Sequence, residues 1–325
     1  MSRYRLTIEP LTAFATPLKG DTLFGQLCWT LRHLNGLETL TACLAGYGKG
    51  RPFLVVSDAL PHGFLPRPTL PAHLIGFNMA DASNRKAAKR RQWLPESKSG
   101  EPLETWHQHL VACGHQDDGK VPAPHLEEQS HNTINRLTNT TGTGQFAPYS
   151  RSVSHYAPGT RLDLYVVLDD RLEVATLKQL MARCGQQGFG KEATTGLGKF
   201  RVVSCEALPE PASARHWLTL GPCVPAADTE ENDAWVARES FYSLHVRFGR
   251  HGDLAAVSGQ PYKNPVIMAQ TGALMTRHAP AALTWVGTGL GGNGELSRAL
   301  PETVHQGYAP AVPVSAGASL DKEVA

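Results

Sequence analysis

Two hydrophobic patterns recur along the chain, and each predicts a different element. Residues 3–9 alternate between apolar and polar side chains, which is the period-2 pattern of a strand with one buried face. Residues 23–34 carry leucine, phenylalanine and cysteine at spacings of three and four, which indicates an amphipathic helix. Asp21 or Thr22 is placed to cap this helix, and the Asn-Gly pair at 35–36 is expected to end it.

The same patterns return after a long polar interval. Residues 53–56 predict a second short strand, residues 161–168 a third, residues 170–184 a helix and residues 200–205 a fourth strand. The order strand, helix, strand, long insertion, strand, helix, strand is that of a ferredoxin-like fold. The sequence therefore predicts an α+β protein that contains a ferredoxin-like domain with a long insertion.

The domain organisation follows from length and from two prolines. A chain of 325 residues is long enough for two ordinary domains, and Pro209 and Pro211 mark the expected boundary. We predict an N-terminal ferredoxin-like domain over residues 1–207, with its insertion at about 78–150, and a second, strand-rich ferredoxin-like domain over residues 208–325. In the second domain, strand patterns, a Gly-rich turn region and a Pro-rich tail fall at residues 217–220, 241–247, 266–269, 287–294 and 310 onward.

A glycine-rich loop, residues 188–199, lies between the second predicted helix and the strand that follows it. Glycine lets backbone N–H groups turn outward toward an anion, and lysine and threonine add donors suited to phosphate oxygens. The helix precedes the loop, so neither a Walker A loop nor a dinucleotide-binding turn is predicted. A plain connection without a ligand is the alternative. The candidate RNA-binding residues here are Gly188, Gly190, Lys191, Thr194, Thr195, Gly196, Gly198 and Lys199.

A run of positive charge begins the predicted insertion. On a helix, positions 86, 89 and 90 share a face, which suits contact with a phosphate backbone or with an acidic partner. A merely solvated face is the alternative interpretation. The residues of this basic run are Arg85, Lys86, Lys89, Arg90 and Arg91.

Residues 131–138 open a polar segment rich in threonine and asparagine that ends near Tyr149. Such a segment is typical of a protruding hairpin or loop, and His131, Asn132 and Arg136 are its candidate RNA contacts. Aromatic side chains at its end are suited to stacking on bases. An ordinary surface loop is the alternative.

Composition narrows the remaining chemistry. The formal net charge of +2 and the charged fraction of 18% do not by themselves indicate nucleic-acid binding, so any basic surface is local. Six cysteines without CxxC spacing predict reduced thiols, and the histidines of the insertion (His107, His109, His115 and His125) match no ligand spacing. We therefore expect no metal and no cofactor. Because no apolar signal core or spanning segment occurs, a cytoplasmic protein without a membrane partner is expected.

Several of these motifs, taken in order, resemble one family. The matching stretches are residues 20–25, 65–68, 86–93, 131–138 and 188–200. On these motifs the chain resembles the RAMP proteins of CRISPR effectors, and among them the type III-A Csm subunit that caps the repeat-derived 5′ handle of the crRNA. The combination of the Gly-Asp-Thr-Leu-Phe-Gly helix start with the His-Asn-x-Ile-x-Arg segment makes the resemblance specific.

The resemblance implies a non-catalytic subunit for antiviral defence. Its implied partners are the crRNA 5′ handle, a large polymerase-like (HD/Palm) subunit and a backbone RAMP subunit, with target RNA contacted only indirectly. Glu192 departs from the usual pattern, because a RAMP loop more often holds a neutral or basic residue there. Some RAMP relatives cut precursor RNA, so an endoribonuclease with His131 as general acid or base is the alternative function.

Overall fold

The protein is a mixed α/β structure with few helices and many strands. The computed structural model describes residues 1–77, 82–114, 121–226 and 235–316. In these ranges the helices are α1 (Gly20–Leu44), α2 (Ala82–Arg90) and α3 (Val174–Gln187). No described helix is long and apolar enough to cross a bilayer.

The strands alternate with short turns along the described chain. Those before residue 200 are β1 (Ser2–Pro10), β2 (Leu54–Val56), β3 (Leu60–Pro61), β4 (Phe64–Pro66), β5 (Arg91–Pro95), β6 (Val111–Gly114), β7 (Val121–Pro122), β8 (His125–His131), β9 (Tyr149–His155) and β10 (Leu162–Leu168). Those after it are β11 (Phe200–Leu208), β12 (Ala214–Thr219), β13 (Leu244–Arg247), β14 (Val266–Ala269), β15 (Leu274–Ala281), β16 (Trp285–Gly287), β17 (Leu290–Gly291), β18 (Val304–His305) and β19 (Tyr308–Val314).

The first sheet is antiparallel and has the spatial order β11-β1-β10-β2. Leu6 of β1 lies opposite Leu164 of β10 and Cys205 of β11, so the apolar positions of these strands share one face. Helices α1 and α3 cover that face, where residues such as Leu27 and Leu177 are fully buried. The strand and helix patterns predicted for this part of the chain are confirmed.

The start of α1 differs from the prediction. Neither Asp21 nor Thr22 caps the helix: Lys19 is the N-cap residue, and its side chain makes no capping hydrogen bond. The predicted stop at 35–36 is confirmed as a break, where Gly36 has φ of +90°, and a second helical segment continues from there to Leu44. Apolar residues beyond the break, such as the buried Cys43, hold the second helical segment on the core.

The predicted insertion contains more strand than expected. Strands β4, β5, β6 and β7 form a second sheet, and β8 pairs with β9 as a hairpin. A second apolar cluster unites Leu65 and Leu94 of this sheet with Tyr165 of β10 and Leu218 of β12. Tyr165 is 3% exposed, so this part of the face of the first sheet opposite the helices is covered by protein.

The C-terminal region carries a four-stranded sheet of order β15-β12-β19-β16. The strand predicted at 266–269 is confirmed as β14, the one predicted at 217–220 overlaps β12, which ends at Thr219, and the one predicted at 241–247 begins only at Leu244. The predicted Pro-rich tail is wrong, because residues 308–314 form the strand β19 between β12 and β16.

Residues on either side of the predicted boundary at 207–208 share buried polar contacts. The side-chain amide of Gln306 accepts from the N–H of Val56 at 2.9 Å and donates to its carbonyl oxygen at 2.8 Å. The N–H of Asp58 donates to the carbonyl of Leu220 at 3.0 Å. The division into two domains stays a prediction, and the two regions are closely joined.

An ion pair between a buried carboxylate and a partly exposed guanidinium also joins these regions at the N-terminus of α1. The Asp21 carboxylate accepts hydrogen bonds from Nε of Arg247 at 2.6 Å and from Nη2 at 3.0 Å. His305 lies 3.4 Å from the same carboxylate. Burial alone raises the pKa of Asp21, but the contacts with His305 and Arg247 outweigh it and hold that pKa well below its usual value.

We predict that Asp21→Asn destabilises the protein by about 1–3 kcal/mol, because it removes the buried charge that pairs with the partly exposed guanidinium of Arg247. Urea unfolding measures this loss, and Glu38→Gln on an exposed part of α1 is the control, expected within about 0.5 kcal/mol of the parent. Equal stabilities of the two variants would contradict the prediction.

The same carboxylate predicts a pH dependence. Its folded pKa lies below the unfolded value of about 3.9, so its contribution is present above that value and is lost as the pH falls toward the folded pKa. Asp21→Asn should therefore lose less stability between pH 5 and pH 3 than the parent does. Parallel acid-side losses in the two proteins would show that Asp21 does not contribute.

Candidate nucleic-acid interface

The glycine-rich loop of residues 188–199 connects α3 to β11 in a conformation that needs glycine. Gly196 and Gly198 have φ of +96° and +74°, and Gly188 and Gly190 are also left-handed. A Cβ on Gly198 would lie 2.2 Å from the carbonyl oxygen of Phe189, so this glycine is required by packing within the loop. A Cβ on Gly196 would meet no atom within 4 Å, so Gly196 faces open space.

Most N–H groups of the loop are already bonded inside the protein. Those that donate are the N–H groups of Gly188, Phe189, Lys191, Thr195, Gly196, Leu197, Gly198 and Lys199. The expectation that the loop turns these N–H groups outward as an anion cradle is therefore wrong at these positions. Their hydrogen bonds go to other residues of the protein, where they stabilise the loop and attach it to its neighbours. Whether the loop residues bind RNA stays a prediction.

The docking partner of the loop is the segment of residues 11–16, which follows β1. The N–H of Lys191 donates to Oγ1 of Thr16 at 2.8 Å, and the N–H of Lys199 donates to Oγ1 of Thr12 at 2.9 Å. The exposed side chains of Lys191 and Thr194 remain at the tip of the loop, and they are the donors best placed for a ligand.

The polar segment of residues 131–149, predicted as a protruding hairpin or loop, is the connection between β8 and β9, which pair as a hairpin. His131 and Tyr149 are paired at the end of the strands, and their rings stack with centroids 5.4 Å apart. Asn132 and Arg136 lie exposed in the connection that follows. Sequence analysis did not single out Leu137 in this connection, although it is an apolar residue in a polar segment and is 95% exposed.

The loop and the hairpin are brought together through residues 11–16. Phe14 and Ser154 of β9 form a two-way backbone bridge, with N–H to O distances of 3.0 and 2.9 Å. Arg151 of β9 also reaches Glu192 of the loop, with 3.4 Å between Nη1 and Oε2. Arg151 was missed by the sequence analysis, since nothing in its local pattern distinguishes it from other strand residues.

The basic run belongs to a different part of the molecule. Lys86, Lys89 and Arg90 are exposed on α2, which packs against β5 and β6 of the insertion sheet. Arg91 is the first residue of β5 and donates from Nη1 to the carbonyl of His107 at 3.3 Å. Arg85 is also exposed on α2. The candidate residues thus lie on two sets of elements, the loop and hairpin docked on residues 11–16 and the helix α2 packed on the insertion sheet.

The geometry of the described residues also bears on metal binding and on thiol reactivity. Among the described residues, no group of three or more His, Cys, Asp or Glu side chains is placed to hold a metal ion; His115 lies outside those residues. All six cysteines are free thiols outside any disulfide bond. Burial raises the pKa of Cys184 and of Cys223 to about 12, which keeps both thiols protonated.

Comparisons with known proteins address the fold. No family model and no curated protein matches the sequence. Among solved structures, the Csm1–Csm4 cassette in complex with pppApA matches with a TM-score of 0.59 at 12% identity, over 98% of this chain and 100% of that chain. The Csm3–Csm4 subcomplex of the type III-A CRISPR-Cas interference complex matches with a TM-score of 0.58 at 13% identity, over 96% and 99%. The shared subunit is Csm4.

The chain has the Csm4 fold. A further Csm1–Csm4 cassette, in complex with cA4, matches with a TM-score of 0.57 at 12% identity, over 97% of this chain and 99% of that chain. The match covers the N-terminal and C-terminal regions alike, so the resemblance predicted from the motifs is confirmed for the fold. At this identity the Csm4 fold does not transfer the role of any single residue.

The two loop glycines give a matched prediction. Gly198→Val should destabilise the protein by at least about 1–3 kcal/mol, because it combines a left-handed backbone with a collision at the carbonyl of Phe189. Gly196→Asn should cost less than about 1 kcal/mol, since asparagine tolerates this conformation and its side chain enters open space. Urea unfolding of both variants tests the assignment, and a larger loss for Gly196→Asn would reverse it.

Proposed function

We propose that this protein is a non-catalytic crRNA-binding subunit of a type III-A CRISPR RNA-guided effector complex, acting in antiviral defence. In this proposal the loop of residues 188–199 and the hairpin β8–β9 hold the 5′ handle of the crRNA. The observation that carries it is the joint docking of loop and hairpin on residues 11–16, in a protein with the Csm4 fold.

The exposed chemistry of this surface suits single-stranded RNA. Lys191 and Arg136 supply positive charge for phosphates, and Thr194 and Asn132 supply neutral hydrogen-bonding groups. The stacked rings of His131 and Tyr149 offer an aromatic platform for a base, since Tyr149 is about half exposed. Sequence-specific recognition of RNA mostly uses unpaired bases, which can stack on aromatic side chains.

The sheet topology supports a RAMP interpretation of the fold. The chain order β1-α1-β2, then β10-α3-β11, in a sheet of order β11-β1-β10-β2, is what a ferredoxin-like unit with an insertion after its second strand gives. We infer that the C-terminal sheet is a reduced unit of the same kind.

The partners follow from the same proposal. Matching structures hold Csm4 with Csm1 in one complex and with Csm3 in another, which supports other Csm subunits as partners. In our proposal these are a large polymerase-like (HD/Palm) subunit and a backbone RAMP subunit, and the complex acts in the cytoplasm. Target RNA is contacted only indirectly. The basic run on α2, which lies apart from the loop, is available for a phosphate backbone or for an acidic protein surface.

The proposal assigns no catalytic site to the chain. The alternative endoribonuclease needs His131 as general acid or base, and a base must reach the proton of a 2′-OH. Nε2 of His131 is buried and has no hydrogen-bond partner, and its ring is stacked on Tyr149. This arrangement favours a stacking role for His131 over proton transfer.

The full-length chain with labelled repeat-derived RNA tests the proposed function. We expect salt-sensitive retention of intact RNA. Lys191→Ala should weaken this retention, because it removes one phosphate contact. The slope of log binding constant against log salt concentration should then fall by about 0.7, the value for one contact with a single strand. Lys178→Ala on the exposed side of α3 is the matched control and should bind as the parent does. RNA cleavage that disappears in His131→Ala would support the endoribonuclease instead, and absence of both retention and cleavage would contradict RNA binding.

A separate prediction concerns the basic run. Replacing Lys86, Lys89 and Arg90 together by glutamine should flatten the salt dependence of assembly with RNA and partner subunits, since three exposed charges are removed from one surface. Measurement of the assembly constant across salt concentrations checks this. An unchanged salt slope would leave only the solvated-face interpretation.

A further inference from the structure

The contact between Arg151 and Glu192 has features of a built connection. The Arg151 side chain is only 12% exposed despite its charge. Besides reaching Glu192, it donates from Nη2 to Oε1 of Gln129 on β8 at 2.9 Å. The guanidinium therefore contacts both the neighbouring strand β8 and the glycine-rich loop, because its two terminal nitrogens face different partners.

Glu192 occupies a position where its backbone alone would favour glycine. Its φ is +64°, which is left-handed and strained for a residue with a side chain. Its carbonyl oxygen accepts from Oγ1 of Thr195 at 2.9 Å, and its N-terminal position in the short turn of residues 193–195 orients the tip of the loop. This unfavourable backbone position and the contact with Arg151 together suggest a structural role for the carboxylate.

The ion pair closes a ring of contacts. The loop is docked on residues 11–16 through Thr12 and Thr16, and the same segment is bridged to β9 through Phe14. Arg151 and Glu192 supply a direct link from the hairpin back to the loop. Without this link, the contacts described above would join the two elements only through the intervening segment.

We propose that the Arg151–Glu192 pair is a brace that holds the hairpin β8–β9 and the glycine-rich loop at a fixed separation. The RNA-binding consequence rests on the proposed function: both are positioning residues that align the two RNA-contacting elements, and neither needs to touch the RNA. In this proposal, neutralising Glu192 weakens RNA binding. Simple electrostatics predicts the opposite result, because an acidic residue repels phosphates and its neutralisation should strengthen binding.

The sign of one substitution separates these two interpretations. Glu192→Gln should weaken binding of repeat-derived RNA by about three- to tenfold, in line with the coupling found between contacting residues. Arg151→Gln should weaken it similarly, and the double variant should lose no more than the weaker-binding single variant. Exchange of the two residues, Arg151→Glu with Glu192→Arg, should recover part of the affinity. Glu173→Gln, which removes an exposed acidic charge at the start of α3, should not weaken binding.

Two further measurements keep misfolding and loss of function apart. Glu192→Gly relieves the strained backbone and removes the carboxylate, so its stability should stay within about 1 kcal/mol of the parent while it binds RNA more weakly. In the free protein, hydrogen exchange of β9 should be faster in Glu192→Gln than in the parent. Unchanged exchange overturns the brace whether or not RNA binds. Equal or tighter RNA binding by Glu192→Gln overturns its functional role alone, whereas failure of the parent to bind RNA overturns only the proposed function.

Discussion

Two buried carboxylates at the N-terminus of α1 are the constraint on which the arrangement of this protein depends. Asp21 is bonded to Arg247, and Asp58 accepts from Nζ of Lys19 at 2.6 Å, from the N–H of Gly20 at 2.8 Å and from Oγ1 of Thr271. Carboxylates are favoured beside the positive end of a helix dipole, and burial makes the loss of either partner costly. Together they attach the first sheet and its helices to the C-terminal region.

This attachment explains the Gly-Asp start of α1 in structural terms. A Cβ on Gly20 would lie 2.2 Å from the carbonyl oxygen of Val56, so only glycine permits the close approach that brings Asp58 to the helix end. The Gly-Asp start of α1, which supports the family resemblance, therefore connects the first sheet to the C-terminal region. The surface that we propose for RNA is built elsewhere, where residues 11–16 contact both the loop and the hairpin.

Local sequence patterns predicted most helices and strands of the first sheet, but they could not predict contacts between residues that are far apart in the sequence. Alternation and three-to-four spacing identified β1, β10, α3 and β11, whereas the strands β8 and β9 that flank the polar segment at 131–149 were not predicted. The partner of Asp21 is 226 residues away, so an acidic residue in the first helical turn was taken for a cap. Prolines in residues 308–314 obscured a strand that the neighbouring strands stabilise. The role of Glu192 depends on Arg151, which no sequence pattern connects to it.

Crosslinking of the assembled complex provides a direct map of the RNA path. A repeat-derived crRNA that carries 4-thiouridine through its 5′ handle would be bound to the full-length chain and its partner subunits, irradiated, and analysed for modified peptides by mass spectrometry. Single-stranded RNA held by the loop and hairpin predicts crosslinks within residues 188–199 and within residues 131–149. Crosslinks confined to α2, or their absence from both segments in a complex that retains its crRNA, would contradict the assignment of this surface to the handle.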